Sequence, residues 1–402
     1  TTPGAEDPRA TLPGVAPVQE PAATRRSLRV EPSLDALNSE EENLLQALAS
    51  GQADALSQLL ASENTAIEHN AKLCEGLLAR VRKLPLSLVA IRGLWLLSER
   101  AHRRDLRAVT SELLSHVDPT ITCTRTGRLA DPQDEATRQA LAEARDDGSM
   151  TPVFGVLGHL FLSGGPLFRR PLANYGAGTS DFIAARDDNA FADALRDVSS
   201  VLGIEHEAYL TPSGRDAINV APTYPPSLII GDGTAQAPIA LRFRLGAAFE
   251  QARPSSVLLA SLAREAMTTL LAALQAAFGA ANAAAPIQRD AAALASELWR
   301  TLPGATQKQI TSVLRSLPAE AMPYQGLIDQ LRLRAARVGL VTSGALDVAL
   351  EHLALEGDAD GARVPTSEAA LGAALGNQPL LASLLGFALS DAYLALRSRE
   401  SS

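Results

Sequence analysis

Between residues 40 and 116 leucine and alanine return at helical spacing in five segments, 40–49, 53–60, 66–82, 86–100 and 104–116, separated by only a few residues. Apolar residues three and four apart line one side of a helix, and a short connection makes the next helix run back beside the last. Such a chain is constrained to helices packed on helices, either as stacked helical hairpins or as an irregular bundle. Composition points the same way: aromatic residues are 4% of 402, too few for a sandwich whose strands draw on aromatic and β-branched side chains. With 46% of residues apolar, there is ample material for a buried core.

The hairpin pattern is bounded on both sides. Residues 1–34 carry six prolines among Ala, Thr, Glu and Arg without apolar periodicity, which predicts a disordered tail. Order is expected from a capping box in which Ser39 accepts a backbone N–H and Glu42 reaches back. Residues 119–148 read as a polar connector carrying one helix, 133–144. Further helices are predicted over 152–162, 189–202, 237–252, 256–278, 291–302, 307–316, 324–338, 343–355 and 380–396, with Thr306 capping the one that starts at Gln307. Three β-type runs, 208–211, 217–221 and 227–231, predict a small meander or sheet edge. The expected fold is mostly α (α+β): tail 1–34, helical-hairpin array 35–118 of tetratricopeptide-like type, connector 119–148 and a helix-rich domain 149–402 with a three-stranded sheet.

Charge excludes some partners. The chain has 36 Lys+Arg against 45 Asp+Glu, a formal charge of −9, and no basic block, so neither nucleic acid nor an anionic membrane is expected. No run of 18 apolar residues occurs, and a soluble cytoplasmic protein is the expectation. The start, Thr1-Thr2-Pro3-Gly4, reads as a processed or truncated end rather than a signal peptide. Cys74 and Cys123 cannot build a zinc cluster alone and are expected to be inert reduced thiols. Arg100, Arg103, Arg104 and Arg107 form the one local basic patch, with Glu99 and Asp105 beside them to pair locally.

Three segments share a common frame: Ala217-Ile218-Asn219-Val220-Ala221, then Pro225 to Gly231, then Leu241-Arg242-Phe243-Arg244-Leu245-Gly246. In this order they resemble gluzincin metallopeptidases of the CAAX-prenyl-peptidase and heat-shock-peptidase family. There a strand region precedes a helix ending in Leu-Gly-His-Glu-x-x-His. The resemblance would put the first His at Ala247, the Glu at Ala248 and the second His at Gln251. The third-ligand frame resembles 332–344, with Arg332 and Ala336 at the acidic positions. None of these five can hold zinc or activate water, and a cation at a ligand position opposes a divalent metal. The resemblance therefore implies a degenerate domain, a pseudoenzyme with no metal and no cofactor. The ordered chain is also similar to the C-terminal part of large bacterial tetratricopeptide-type proteins of no known activity.

No two of the six histidines have ligand spacing. Glu205-His206-Glu207 is the densest polar cluster, yet adjacent residues of an extended segment point to opposite faces. His159 lies in an apolar run and reads as a core residue, and His352 reads as a helix-end residue suited to the dipole. Gly231-Asp232-Gly233 lacks the rest of a phosphate loop and reads as a strand-to-helix turn. Ser213-Gly214-Arg215 has no nucleophile-elbow frame. The expected function is a non-catalytic scaffold or adaptor that binds another protein or a peptide, the peptidase-like cleft being one place for it. The alternative is a hydrolytic or metal-dependent enzyme assembled around His159, His206 and Glu205 or Glu207.

Overall fold

The leucine periodicity is realised as α1 (Ser39–Ala49), α2 (Ala53–Ala61), α3 (Ile67–Val81), α4 (Leu88–Arg100) and α5 (Arg104–Leu114). The computed structural model describes residues 37–62, 66–123, 130–146, 148–279, 288–317, 323–357 and 367–400, so the expected tail lies outside the described residues. Leu45 and Leu48 of α1, Leu77 of α3 and Ile91 and Leu94 of α4 are all buried, the apolar stripe of each helix closing on the next. The capping box sits one residue earlier than expected. Asn38 Oδ1 accepts the Glu40 and Glu41 N–H groups at 3.0 and 2.9 Å, and the Glu41 carboxylate accepts the Asn38 N–H at 3.0 Å. Asn caps as well as Ser does, and from Asn38 the third helical position is Glu41 rather than Glu42.

After the connector come α6 (Glu135–Ala144), α7 (Thr151–Ser163) and, beyond a stretch of short 3-10 turns, α8 (Ala190–Leu202). Strands β1 (Ala208–Thr211), β2 (Ile218–Ala221) and β3 (Ser227–Gly231) follow. They do not form a meander: the order is β1-β3-β2, with β1 parallel and β2 antiparallel to β3. Residues 222–226 turn β2 back onto β3 as a hairpin, while 212–217 carries the chain past the end of β3. Gly231 and Gly233 make that crossing possible, because a Cβ on Gly231 would strike the Arg215 carbonyl and one on Gly233 would lie 2.6 Å from the Gly214 carbonyl. Asp232 Oδ1 accepts the Gly214 N–H at 2.6 Å, so this Gly-Asp-Gly segment holds a loop. One sheet face gives Ala208, Val220, Leu228 and Ile230 to the main core. The other, with Tyr209, Ala221 and Ile229, is covered by Leu172, Tyr175 and Ala177.

The remaining helices are α9 (Pro238–Gln251), α10 (Val257–Ser261), α11 (Arg264–Phe278), α12 (Arg289–Thr301), α13 (Gly304–Ser316), α14 (Tyr324–Ser343), α15 (Leu346–Gly357), α16 (Glu368–Asn377), α17 (Pro379–Ala388) and α18 (Asp391–Glu400). Two expected single helices are each broken. The 256–278 helix is interrupted at Leu262 and Ala263, both extended, where the Ser261 hydroxyl bonds back to the Val257 carbonyl at 2.6 Å. The 380–396 helix stops at Leu389 and restarts under Ser390, whose hydroxyl accepts the Tyr393 N–H. The helix α16 was not foreseen, since Ala and Gly dominate it. Helix α13 starts at Gly304, so Thr306 is no cap; its hydroxyl meets that of Ser163 at 3.2 Å.

The centre of the fold is the contact between α9 and α14. They run in opposite directions, Thr342 Oγ1 donating to the Arg242 carbonyl at one end and Arg334 meeting Glu250 at the other. Gly246 and Gly339 lie where the helices touch; a Cβ on Gly339 would come 2.7 Å from the Phe243 carbonyl oxygen. Residues Leu37–Ser402 form one compact unit. Within it α5 reaches α15 and α18, through Glu112, which accepts the Leu346 N–H at 2.6 Å and pairs with Arg397. Among the described residues no single helix is long and apolar enough to cross a membrane; two bent pairs, 148–175 and 369–388, reach the length only together.

Candidate functional site

An open groove of about 970 Å³ runs between α6, the 3-10 turn Gly148–Met150, α14, α17 and α18. Its floor is Leu333, Phe387 and Ala392, and its rim carries both signs of charge: Arg82 and Arg337 against Glu143, Asp146 and Asp391. Arg82 is fixed, donating from Nε and Nη2 to the Leu389 carbonyl at 2.9 and 2.6 Å and pairing with Asp391 at 3.0 Å. It thereby caps the end of α17. Arg337 lies over the Phe387 ring with its guanidinium carbon 5.6 Å from the centroid. Gln330 donates to the Asp146 carbonyl at 3.3 Å, tying α14 to the segment after α6. The hydroxyls of Ser149, Ser383 and Ser390 complete the polar rim, and neither His nor Cys lines the groove. Such a surface offers donors and acceptors to an extended chain and has no nucleophile–base pair among its described lining residues.

The positions named from the peptidase resemblance lie on the two central helices. Ala247, Ala248 and Ala336 are buried, and Gln251 and Arg332 are half-buried. Next to Gln251 is the charge cluster that sequence reasoning missed. Glu250, 1% exposed, accepts a hydrogen bond from Arg145 Nε at 2.9 Å and forms ion pairs with Arg334, whose Nε is 3.1 Å away, and with Arg253, whose Nε is 3.6 Å away. Arg334 also bonds the Ser256 hydroxyl and lies over the Phe154 ring at 4.4 Å. A signal for it existed: Phe243, Ala247 and Glu250 recur at helical spacing, so Glu250 is an acid on a buried stripe. Arg334, between Leu331 and Val338, is the matching base. A charge on a buried stripe must find an opposite one.

The histidine-centred alternative does not gather. His206 is half-buried, its Nδ1 3.1 Å from the Pro226 carbonyl and its ring edge-on to Phe249 at 5.0 Å. Burial pushes its pKa down, with the Pro226 hydrogen bond opposing. Glu205 and Glu207 are exposed, and Glu207 accepts the Tyr209 hydroxyl at 2.9 Å, away from the His206 ring. His159 lies half-buried on α7. His352 is not at a helix end; it sits inside α15, edge-on to Phe243 at 5.1 Å. Among the described residues no group of three His, Cys, Asp or Glu is placed to hold a metal ion. In the basic patch Arg103 pairs with Asp105 at 2.9 Å and Arg107 with Glu99 at 3.0 Å, while Arg100 bonds the Leu59 carbonyl and Ser62. Neither cysteine is in a disulfide, and burial pushes the Cys74 thiol up to about 12.

The chain is mostly helical with a small mixed sheet, and its groove carries both signs of charge. Comparison with known proteins finds no matching family model, no matching curated protein and no matching solved structure.

Proposed function

We propose that the chain is a non-catalytic scaffold or adaptor, and that an extended peptide segment of a partner protein lies in the groove between α6, α14, α17 and α18. The observation that carries this reading is the groove itself, large and open, with Arg337 and Arg82 facing Glu143, Asp146 and Asp391 over an apolar floor. Backbone amides of a bound segment would meet Gln and Ser side chains, and its charged side chains would sort by sign along the rim. Peptide selection from a random displayed library against the full chain tests it. Selected peptides should bind the wild type and weaken at least tenfold on Arg337→Glu, and mass spectrometry should find them intact after incubation. Selected peptides that bind Arg337→Glu equally well, or that are cleaved, would overturn the reading.

A further inference from the structure

Among the described residues, one carboxylate, Glu250, is paired with three guanidiniums, Arg145 and Arg334 standing closest to its oxygens. The ion pair of Arg253 with Glu250 Oε1 is the longest of the three, at 3.6 Å, and its side chain is 38% exposed. Burial is the largest influence on this cation and disfavours its charge; Glu250 opposes that next, and the weaker fields of Arg145 and Arg334 add to the effect of burial. Arg145, on the other side of the same carboxylate, keeps 25% of its side chain exposed, and its Nη2 has no acceptor among the described residues. A guanidinium whose Nε is committed still presents a planar fork of Nη donors, the geometry that matches an oxyanion bidentately.

We propose that Arg253 and Arg145, backed by the buried Arg334, form a binding site for a small oxyanion, a carboxylate or a phosphate, docking from the exposed side of Arg253. Arg145, Glu250, Arg253 and Arg334 are not among the residues that line the groove. The site stands whether or not a peptide binds there. The ligand supplies the negative charge that Glu250 cannot give to three partners at once, while Arg145 Nε stays bonded to Glu250. Either a peptide's terminal carboxylate or a free phosphate has the required chemistry.

Titration calorimetry and thermal unfolding of the full chain test the site at constant ionic strength, with inorganic phosphate, acetate, and one short peptide in free-acid and amidated forms, against chloride. A saturable rise in Tm and measurable heat are expected with at least one oxyanion. Response to phosphate alone assigns a free phosphate, and response to the free-acid but not the amidated peptide assigns a chain terminus. In Arg253→Gln the dissociation constant should rise at least tenfold, and Arg253→Lys should recover part of the loss. Arg253→Gln removes a half-exposed cation held among like charges, so its Tm without ligand should stay at or above that of the wild type. The same Tm in every anion as in chloride, or a response undiminished in Arg253→Gln, would overturn the proposal.

Discussion

Glycine-to-alanine substitution should have opposite signs at two helical positions of this chain. Alanine is favoured over glycine inside a helix by roughly 1 kcal/mol, because glycine loses more backbone freedom on folding. At Gly155, in the exposed face of α7, an added Cβ meets nothing within 4 Å, so Gly155→Ala should stabilise by about 0.5–1 kcal/mol. At Gly339 the same Cβ would lie 2.7 Å from the Phe243 carbonyl oxygen and 2.9 Å from its ring. Phe243 is fully buried and cannot retreat, so α9 and α14 must separate. Overpacking of this kind costs about 1–3 kcal/mol, which exceeds the propensity gain over most of its range. The two variants should therefore differ by about 1–3 kcal/mol in urea unfolding followed by far-ultraviolet circular dichroism. At Gly246 the Cβ meets the Thr342 hydroxyl, which donates to the Arg242 carbonyl at 3.2 Å. Gly246→Ala should be destabilising alone and partly rescued by Thr342→Ala, a non-additive pair. Gly339→Ala as stable as Gly155→Ala would show that the helices do not meet at these residues.

Replacing Glu112 by Leu should cost about 3–5 kcal/mol, because Arg397 would be left buried without its carboxylate, and chemical denaturation measures it. The Cys74 thiol, held at about 12 by burial, should not react with Ellman's reagent in the native chain at pH 8, and at most one of the two thiols should titrate until denaturant is added. Its folded pKa stands above the ordinary thiol value of 9.0, so the unfolded chain loses this proton first and stability should fall as pH rises from about 9 toward 12; Cys74→Ala should flatten that limb. His206 has the opposite sense. Burial lowers its folded pKa below 6.5, so stability should hold above that pH and decline as pH falls below it, and His206→Gln should reduce the decline in pH-dependent unfolding.

Helices were legible wherever leucine kept its period, as in α3 and α4, because one buried stripe decides both the helix and its packing. Their ends were less so. Asn38 against Ser39, and Gly304 against Thr306, turn on which residue leaves the helical conformation, which composition does not fix. The break at Leu262 lies where the leucine period runs on from Leu258 and Leu259 to Leu270 and Leu271, so periodicity carries through it, whereas the break at Leu389 is followed by Ser390-Asp391, a cap signal present in the sequence. The strands were found, but their order was not. Consecutive β-type runs suggest consecutive pairing, whereas here β3 inserts between β1 and β2, a choice made by the loop at Gly231 and Gly233. The groove was invisible for a related reason: its walls come from residues near 82, 143, 330 and 387, and no local pattern links them.

The buried ion pairs explain how so uniform a core keeps one arrangement. Alanine and leucine stripes are nearly interchangeable, and an apolar contact between two of them is non-directional, so sliding α18 by a turn along α5 would change the buried area little. Glu112 and Arg397 remove that freedom. One carboxylate must reach both the Leu346 N–H and the Arg397 guanidinium, and Arg397 must also reach the Gly344 carbonyl, which only one register satisfies. Glu250 with Arg145 and Arg334 does the same for α6, α9 and α14. Desolvation offsets much of the attraction in each case, so specificity rather than stability is the expected return. The double variant Glu112→Leu with Arg397→Met should then recover most of the stability lost by Glu112→Leu alone, while amide resonances of α5 and α18 broaden or multiply as registers compete. A double variant as unstable as the single one, or equally stable with a single sharp set of resonances, would show that the pair does not set the register.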